Sequence, residues 1–344
     1  MTAFAGRLAL IAVTSLTTAG AVLAQPAPGA PSPAAQVSAA INAAKFDPKA
    51  PPAAARDELV KAETLLDRAH FSPGVIDGRD GSNLHAAISA FEGAHGLPVD
   101  GHLSQPVWDA LTAADTAPAS VVYTVTAADV AGPFLGKTPT DMAAMAKLKH
   151  MDFDSVAQEL SERFHMDQAL LLALNPGVDF KTAGATIVVA AAGAAPLAAQ
   201  VTRIEVDKAH QQVRAFDAAG KLAAVYPATV GSQERPAPSG VWAVKVVAPN
   251  PDYTFDPARL TFGKSKTKLT IPPGPNNPVG STWIGLTKET YGIHGTPDPT
   301  LVGKVASHGC VRMTNWDARQ LGAAVKAGTK VEFVGEAVRK KTAG

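Results

Sequence analysis

Along the last third of the chain, apolar side chains fall at every second position. Residues 201–207 and 212–216 alternate in this way, and Asp217-Ala218-Ala219-Gly220 supplies a turn. The pattern continues through 222–230, 241–247, 282–286 and 330–334. Period two predicts strands. Before the last of them, Thr314 or Asn315 caps a helix expected to run to residue 327 and stop at Gly328. The first half keeps a different period. Residues 56–69 predict one helix; a second is capped at Ser82 or Asn83, with Leu84, Ile88 and Phe91 on one face. A third opens at Ser104 with an early Pro106 and carries Val107, Trp108 and Leu111. Asp77-Gly78 and Asp100-Gly101 precede the second and third helices, a short internal repeat of tight-turn chemistry. Between the halves, 123–125 alternates like a strand and 153–174 has helical periodicity broken near Phe164-His165-Met166. Asn175-Pro176-Gly177 ends that helix, and 186–189 reads as a closing strand. The expected fold is multi-domain: a small three-helix module, an α/β middle module and a mostly-β carboxy-terminal domain.

The segments outside these patterns set the compartment and the boundaries. Arg7 precedes an apolar stretch over 8–22, and Val22-Leu23-Ala24 places small residues before Gln25, so residues 1–24 read as an export signal. As a membrane anchor the stretch is short and interrupted by Thr14, Ser15, Thr17 and Thr18. Residues 25–55 are rich in Pro and Ala and predict a semi-rigid spacer, with a short helix within 34–44. The remaining boundaries are expected at 56–115, 120–195 and 200–335. With 31 basic and 30 acidic side chains the net charge is +1, which gives no support for a nucleic-acid binder. The Pro/Gly-rich stretch 250–278 is long enough to form a lid.

Cys310 is the only cysteine, so it forms no intramolecular disulfide. Free cysteines are commonly small buried hydrophobes, but this one lies in Ser307-His308-Gly309-Cys310-Val311-Arg312-Met313. Tyr291-Gly292-Ile293-His294-Gly295-Thr296 lies upstream. Imidazoles for proton transfer and a glycine that lets backbone approach a substrate are what a nucleophilic thiol requires. His308 stands two residues before Cys310, so in extended backbone both face one side. That spacing is too close for a usual zinc ligand pair, and no metal site is expected. The other histidines are scattered and read as surface or packing residues.

Together with Gly231 and Gly240-Val241-Trp242, these two motifs resemble the L,D-transpeptidase (YkuD) catalytic domain over about residues 201–334. The frequent Asn two positions after the cysteine is Arg312 here, as in the branch of the family that continues Val-Arg-Met. The resemblance implies a sandwich-like β domain and an exported, periplasmic, wall-associated enzyme without cofactor. It implies Cys310 as nucleophile, His294 as base oriented by the Gly295 carbonyl, and Gly309 and Cys310 as oxyanion donors, with His308 as orienting partner or alternative base. Tyr291 and Ser307 would contact substrate; Arg312 would hold a stem-peptide carboxylate or brace the loop. The implied reaction attacks a tetrapeptide stem, releases D-alanine and passes the acyl group to an amine, giving a 3→3 crosslink; carbapenems are expected to acylate the same thiol. Water or a lipoprotein lysine as acceptor, and a non-catalytic wall-binding protein, are the alternatives. Residues 56–115 resemble a three-helix peptidoglycan-binding domain through Leu65-Leu66, Ile76-Asp77-Gly78, Ala86-Ala87-Ile88-Ser89-Ala90-Phe91, Gly96-Leu97-Pro98-Val99-Asp100-Gly101 and Trp108 with Leu111, departing at Glu92 where glutamine is usual. Val156 to Leu172, Leu174-Asn175-Pro176-Gly177-Val178 and 184–189 resemble a degenerate LysM module with an insertion at 131–150. Glycan and stem peptides are the implied partners; oligomeric state is left open.

Overall fold

The computed structural model describes residues 31–193, 195–231, 236–258, 265–305 and 309–336. The predicted export signal therefore lies outside the described residues. No helix among them is long and apolar enough to cross a membrane.

Three helices form the first module: α2 (Pro52–Arg68), α3 (Ser82–His95) and α4 (Gln105–Ala114), preceded by α1 (Pro33–Ala43). Leu65, Leu66, Leu84, Ile88, Phe91, Val107 and Leu111 close its core at the predicted helical spacing. The cap of α3 is Gly81, with Ser82 already helical, while Ser104 caps α4 as expected. The two Asp-Gly turns are held alike. Buried Glu92 accepts the N–H groups of Asp100 (3.0 Å) and Gly101 (2.9 Å), and Glu63 accepts that of Gly78 (2.8 Å). The short repeat is thus a repeated carboxylate–turn contact, and Glu92 does the bonding expected of an amide oxygen there.

In the middle module β1 (Ser120–Thr124) pairs antiparallel with β2 (Thr186–Ala190). Helices α5 (Ala127–Val130), α6 (Met142–Met145), α7 (Val156–Arg163) and α8 (Gln168–Leu174) lie between them in sequence. Leu160, Leu170, Leu171 and Leu174 pack on Ile187 and Val189. Helix α1 docks on this pair of strands rather than spanning solvent. Ile41 is wholly buried there, and Ser38 bonds to Ser120. The spacer reading of 25–55 therefore fails over α1: its two buried apolar positions, Ala34 and Ile41, are enough to dock a short helix already set by Ser32 and Pro33 at its start.

The carboxy-terminal domain holds β3 (Arg203–Asp207), β4 (Gln212–Phe216), β5 (Leu222–Pro227), β6 (Thr229–Val230), β7 (Gly240–Pro249), β8 (Tyr253–Phe255) and β9 (Leu269–Ile271). Then come β10 (Thr282–Leu286), β11 (Gly292–His294), β12 (Val311–Arg312), α9 (Asn315–Ala324) and β13 (Lys330–Val334). Nine of these strands share one hydrogen-bonded order, β5-β4-β3-β13-β7-β10-β11-β12-β6, and β8 and β9 form a separate hairpin. Strand β7 joins the halves: its first residues pair with β13 and the rest with β10. One core gathers Ile204, Val206 and Val213 from one half, Ile284, Ile293 and Val311 from the other, and Leu321 from α9. Helix α9 ends at Ala324, earlier than predicted, because Val325 turns extended and Gly328 serves the next turn at φ +91°.

The modules pack on one another. The chain after α2 adds to the edge of β5, where Ser72 N–H donates to Val225 and Val225 N–H donates to His70. Val225 itself enters the core of the first module.

Candidate active site

Two adjoining strands position the predicted chemistry. β11 and β12 run parallel with Ile293 opposite Val311 and His294 opposite Arg312. Side chains alternate across a strand, so Cys310, Arg312 and His294 share one face of the sheet, while Ile293 and Val311 enter the core beneath. The apolar residues between the polar ones thus anchor these polar side chains.

His294 is 5% exposed. Its Nδ1 lies 2.6 Å from the Gly295 carbonyl. A carbonyl only accepts, so Nδ1 carries the proton and Nε2 keeps its lone pair. Burial pushes this imidazole down to about 4; the Arg312 cation acts the same way, and the Gly295 carbonyl opposes them. It is therefore neutral at physiological pH. The Cys310 thiol is half-buried. Burial raises its pKa, while the Gly292 N–H and Arg312 act to lower it. Its Sγ also lies 3.8 Å from the Thr290 carbonyl. Burial at both groups thus favours the neutral thiol and the neutral imidazole over a thiolate–imidazolium pair.

Backbone geometry shapes the rest. Gly309 sits at φ +112°, where only glycine is comfortable, and faces the Tyr291 ring. Thr290 takes φ +68°, an uncommon conformation for a β-branched residue, in the turn that brings its carbonyl to the sulfur. Trp283 on β10 stands opposite His294 and stacks on it, with centroids 5.6 Å apart. Gly285 and Gly292 leave room for the indole.

The structure brings together Cys310, His294, Gly295, Gly309, Tyr291 and Arg312; Ser307 and His308 lie outside the described residues. Arg312 Nε is buried and has no hydrogen-bond partner among the described residues. Sequence reasoning missed Tyr253, Trp283 and Thr290. Tyr253 lies on the β8–β9 hairpin within the stretch proposed as a lid. Its phenol is pushed up to about 12 by burial and by the neighbouring Cys310. Trp283 had a usable signal, since it falls in a predicted strand. Tyr253 had none, because only the fold brings it to the sulfur. Among the described residues no group of three or more His, Cys, Asp or Glu side chains could hold a metal ion.

Comparison with known proteins bears out two of the resemblances. Residues 201–333 match the family model of the L,D-transpeptidase catalytic domain, and residues 55–111 that of a putative peptidoglycan binding domain. A putative L,D-transpeptidase YkuD of Bacillus licheniformis is 46% identical over 61 residues, 18% of this chain and 37% of that protein. The probable L,D-transpeptidase YbiS of Escherichia coli K12 is 27% identical over 187 residues, 52% of this chain and 60% of that protein. The chain thus spans about a third to three fifths of the length of the curated relatives it matches. Among solved structures, an L,D-transpeptidase from Mycobacterium smegmatis aligns at 17% identity and TM-score 0.33, covering 44% of this chain and 64% of that one.

Proposed function

We propose, from the match of residues 201–333 to the L,D-transpeptidase catalytic domain, that the chain is an exported L,D-transpeptidase of the periplasm. In this reading Cys310 attacks the carbonyl between the third residue of a peptidoglycan tetrapeptide stem and its terminal D-alanine. The observation that carries it is the buried His294, its Nδ1 held by the Gly295 carbonyl, on the strand beside Cys310.

The steps follow from that tautomer. As Sγ bonds to the carbonyl carbon, the thiol proton passes to the Nε2 lone pair. The oxyanion of the tetrahedral intermediate is met by the N–H groups of Gly309 and Cys310. Collapse breaks the C–N bond; Nε2 returns the proton to the departing D-alanine amine and the thioester remains. An amine of a second stem then loses a proton to Nε2 and attacks the thioester, so that a new C–N bond forms and the C–S bond breaks. The proton finally returns to sulfur. Arg312, whose buried Nε lacks a partner among the described residues, would receive a stem carboxylate or brace the loop. The imidazolium formed in the first step is short-lived, because burial and Arg312 both disfavour it. That favours rapid return of the proton to the leaving amine. The peptidoglycan-binding domain would hold the enzyme on its polymeric substrate, and the middle module, if it binds glycan as LysM modules do, would add to that hold.

Intact-mass and product analysis with disaccharide-tetrapeptide tests the reading on wild type and Cys310→Ala. Crosslinked dimer and free D-alanine from the wild type alone are expected. Tripeptide without dimer would move the acceptor to water, and the absence of both product and adduct would leave a wall-binding protein with an inert thiol.

A further inference from the structure

Glu162 belongs to α7 of the middle module, yet its carboxylate bonds to α9 of the carboxy-terminal domain. Its Oε2 accepts the Asn315 amide at 2.7 Å and its Oε1 accepts Arg319 at 2.9 Å. Asn315 is wholly buried at the first position of α9, five residues after Cys310. The amide is used on both sides. Nδ2 donates to Glu162 and to the Pro275 carbonyl (3.1 Å), while Oδ1 accepts the Ser281 N–H (3.0 Å). Arg319 also donates to Ser281 Oγ at 3.2 Å, so Glu162, Asn315, Ser281 and Arg319 close a ring.

That ring bears on the Gly295 backbone. A Cβ at either Gly280 or Gly295 would overlap the Asn315 amide oxygen, so the amide is wedged between the two glycine backbones. Gly295 supplies the carbonyl that holds His294 Nδ1. A second route from the middle module reaches the same point. Gln158 of α7 donates to Asn276 (2.8 Å), and Met151 is joined to Pro273 and Asn276 through backbone bonds. These contacts fix the loop whose Pro275 carbonyl shares the Asn315 amide. Beside them His165 stacks on Trp316, the next residue of α9, at 4.9 Å and 9° between planes.

We propose that Glu162 is a positioning residue for the acyl-transfer site: through Asn315 it holds the Gly295 backbone that orients His294, so the middle module completes the catalytic domain. The proposal rests on the acyl-transfer reading above for its kinetic consequence, but its structural consequence stands apart from it. Without the carboxylate, one of the two acceptors of a buried amide is lost. The amide can then rotate or admit water, and Gly295 loses the wedge that sets its carbonyl. A shift of catalytic geometry approaching 1 Å costs about 10²-fold in rate.

The test uses the full chain as wild type, Glu162→Ala and Glu162→Gln. Two readings are taken: acylation of Cys310 by disaccharide-tetrapeptide, and titration of the His294 imidazole by NMR, assigned with His294→Gln. In Glu162→Ala the maximal acylation rate should fall about 10- to 100-fold with KM little changed. The His294 midpoint should move further down from about 4, because the Gly295 carbonyl that supports the protonated ring is no longer held in place. Glu162→Gln, whose amide oxygen still accepts from Asn315, should stay near wild type in both. A folded Glu162→Ala that acylates and titrates like wild type overturns the proposal. So does a Glu162→Gln as impaired as the alanine variant, since the loss would then follow the charge rather than the bond to Asn315. Should Glu162→Ala fail to fold, Glu162→Asp, which shortens the reach by one methylene, takes its place, and an unaltered His294 titration overturns the proposal there. If the wild type itself does not acylate, the reaction assignment fails, while the His294 titration still decides this one.

Discussion

One methyl group added at Gly292 should disable the site without altering either reacting side chain. An ideal Cβ on Gly292 falls 2.5 Å from Cζ2 of Trp283 and 2.7 Å from both Cε2 and Cη2. Carbon atoms in contact prefer about 3.5–4.0 Å, so the indole must retreat by about 1 Å. Gly292 is not among the residues at positive φ, so alanine adds crowding and no backbone strain. The indole stacks on His294, and its retreat either drags the imidazole or opens a gap beside it. A displacement of that size costs about 10²-fold in rate, and the overpacking about 1–3 kcal/mol in stability. The assay is the time course of Cys310 acylation by intact mass, with thermal unfolding alongside. Trp283→Phe in the same chain removes the part of the ring that the methyl meets and should recover most of the lost rate. A Gly292→Ala variant with wild-type acylation, or a double variant no faster than the single, would refute the packing argument.

Two further outcomes follow from charge. Arg312→Ala removes a cation that helps to hold both His294 and Cys310 below the values burial alone would set. The imidazole midpoint should rise, the thiol should become harder to ionise, and acylation should fall off at a higher pH than in wild type. NMR titration and the acylation pH profile check this. At the junction of the modules, burial and the nearby Asp67 push Asp317 up from 3.8 to about 7. Unfolded Asp317 ionises above about 4, whereas the folded form keeps its proton to about 7, so this group progressively disfavours the fold as pH rises between them. Asp317→Asn should flatten that decline and gain on the order of 4 kcal/mol near pH 8. His165 adds to the same trend. Burial would lower its pKa, but the Asp67 carboxylate 3.0 Å away raises it, so its stabilisation also fades as pH climbs. Unfolding curves at pH 5 and pH 8 read the difference.

Much of the fold was legible because it is local. The predicted bounds of β4, β10 and β13 match the observed strands, since each is a short alternating run ended by turn residues. The two motifs that carry the chemistry were legible for the same reason, and pairing of β11 with β12 brings them together. What the sequence hid is non-local. Docking of α1 depends on Ile41, with Ala34, finding β1 and β2, and Ala/Pro-rich composition masks those anchors. Tyr253 reaches the sulfur only through a hairpin of three-residue strands, too short to show a period. Glu162 was not singled out in the sequence. Its bond to Asn315 spans 153 residues of sequence, and nothing in the local pattern reports it.

The central claim is that a neutral Cys310 thiol meets a neutral His294 base. The most direct measurement is the rate of thioester formation at Cys310, followed by intact mass with disaccharide-tetrapeptide from pH 4 to 8. His294 is held down to about 4, so the account predicts that the rate persists through the range where an ordinary histidine, titrating near 6.5, would already be protonated, and falls only as pH approaches 4. A decline centred near 6.5 would contradict the account, since the base would then titrate like an exposed imidazole.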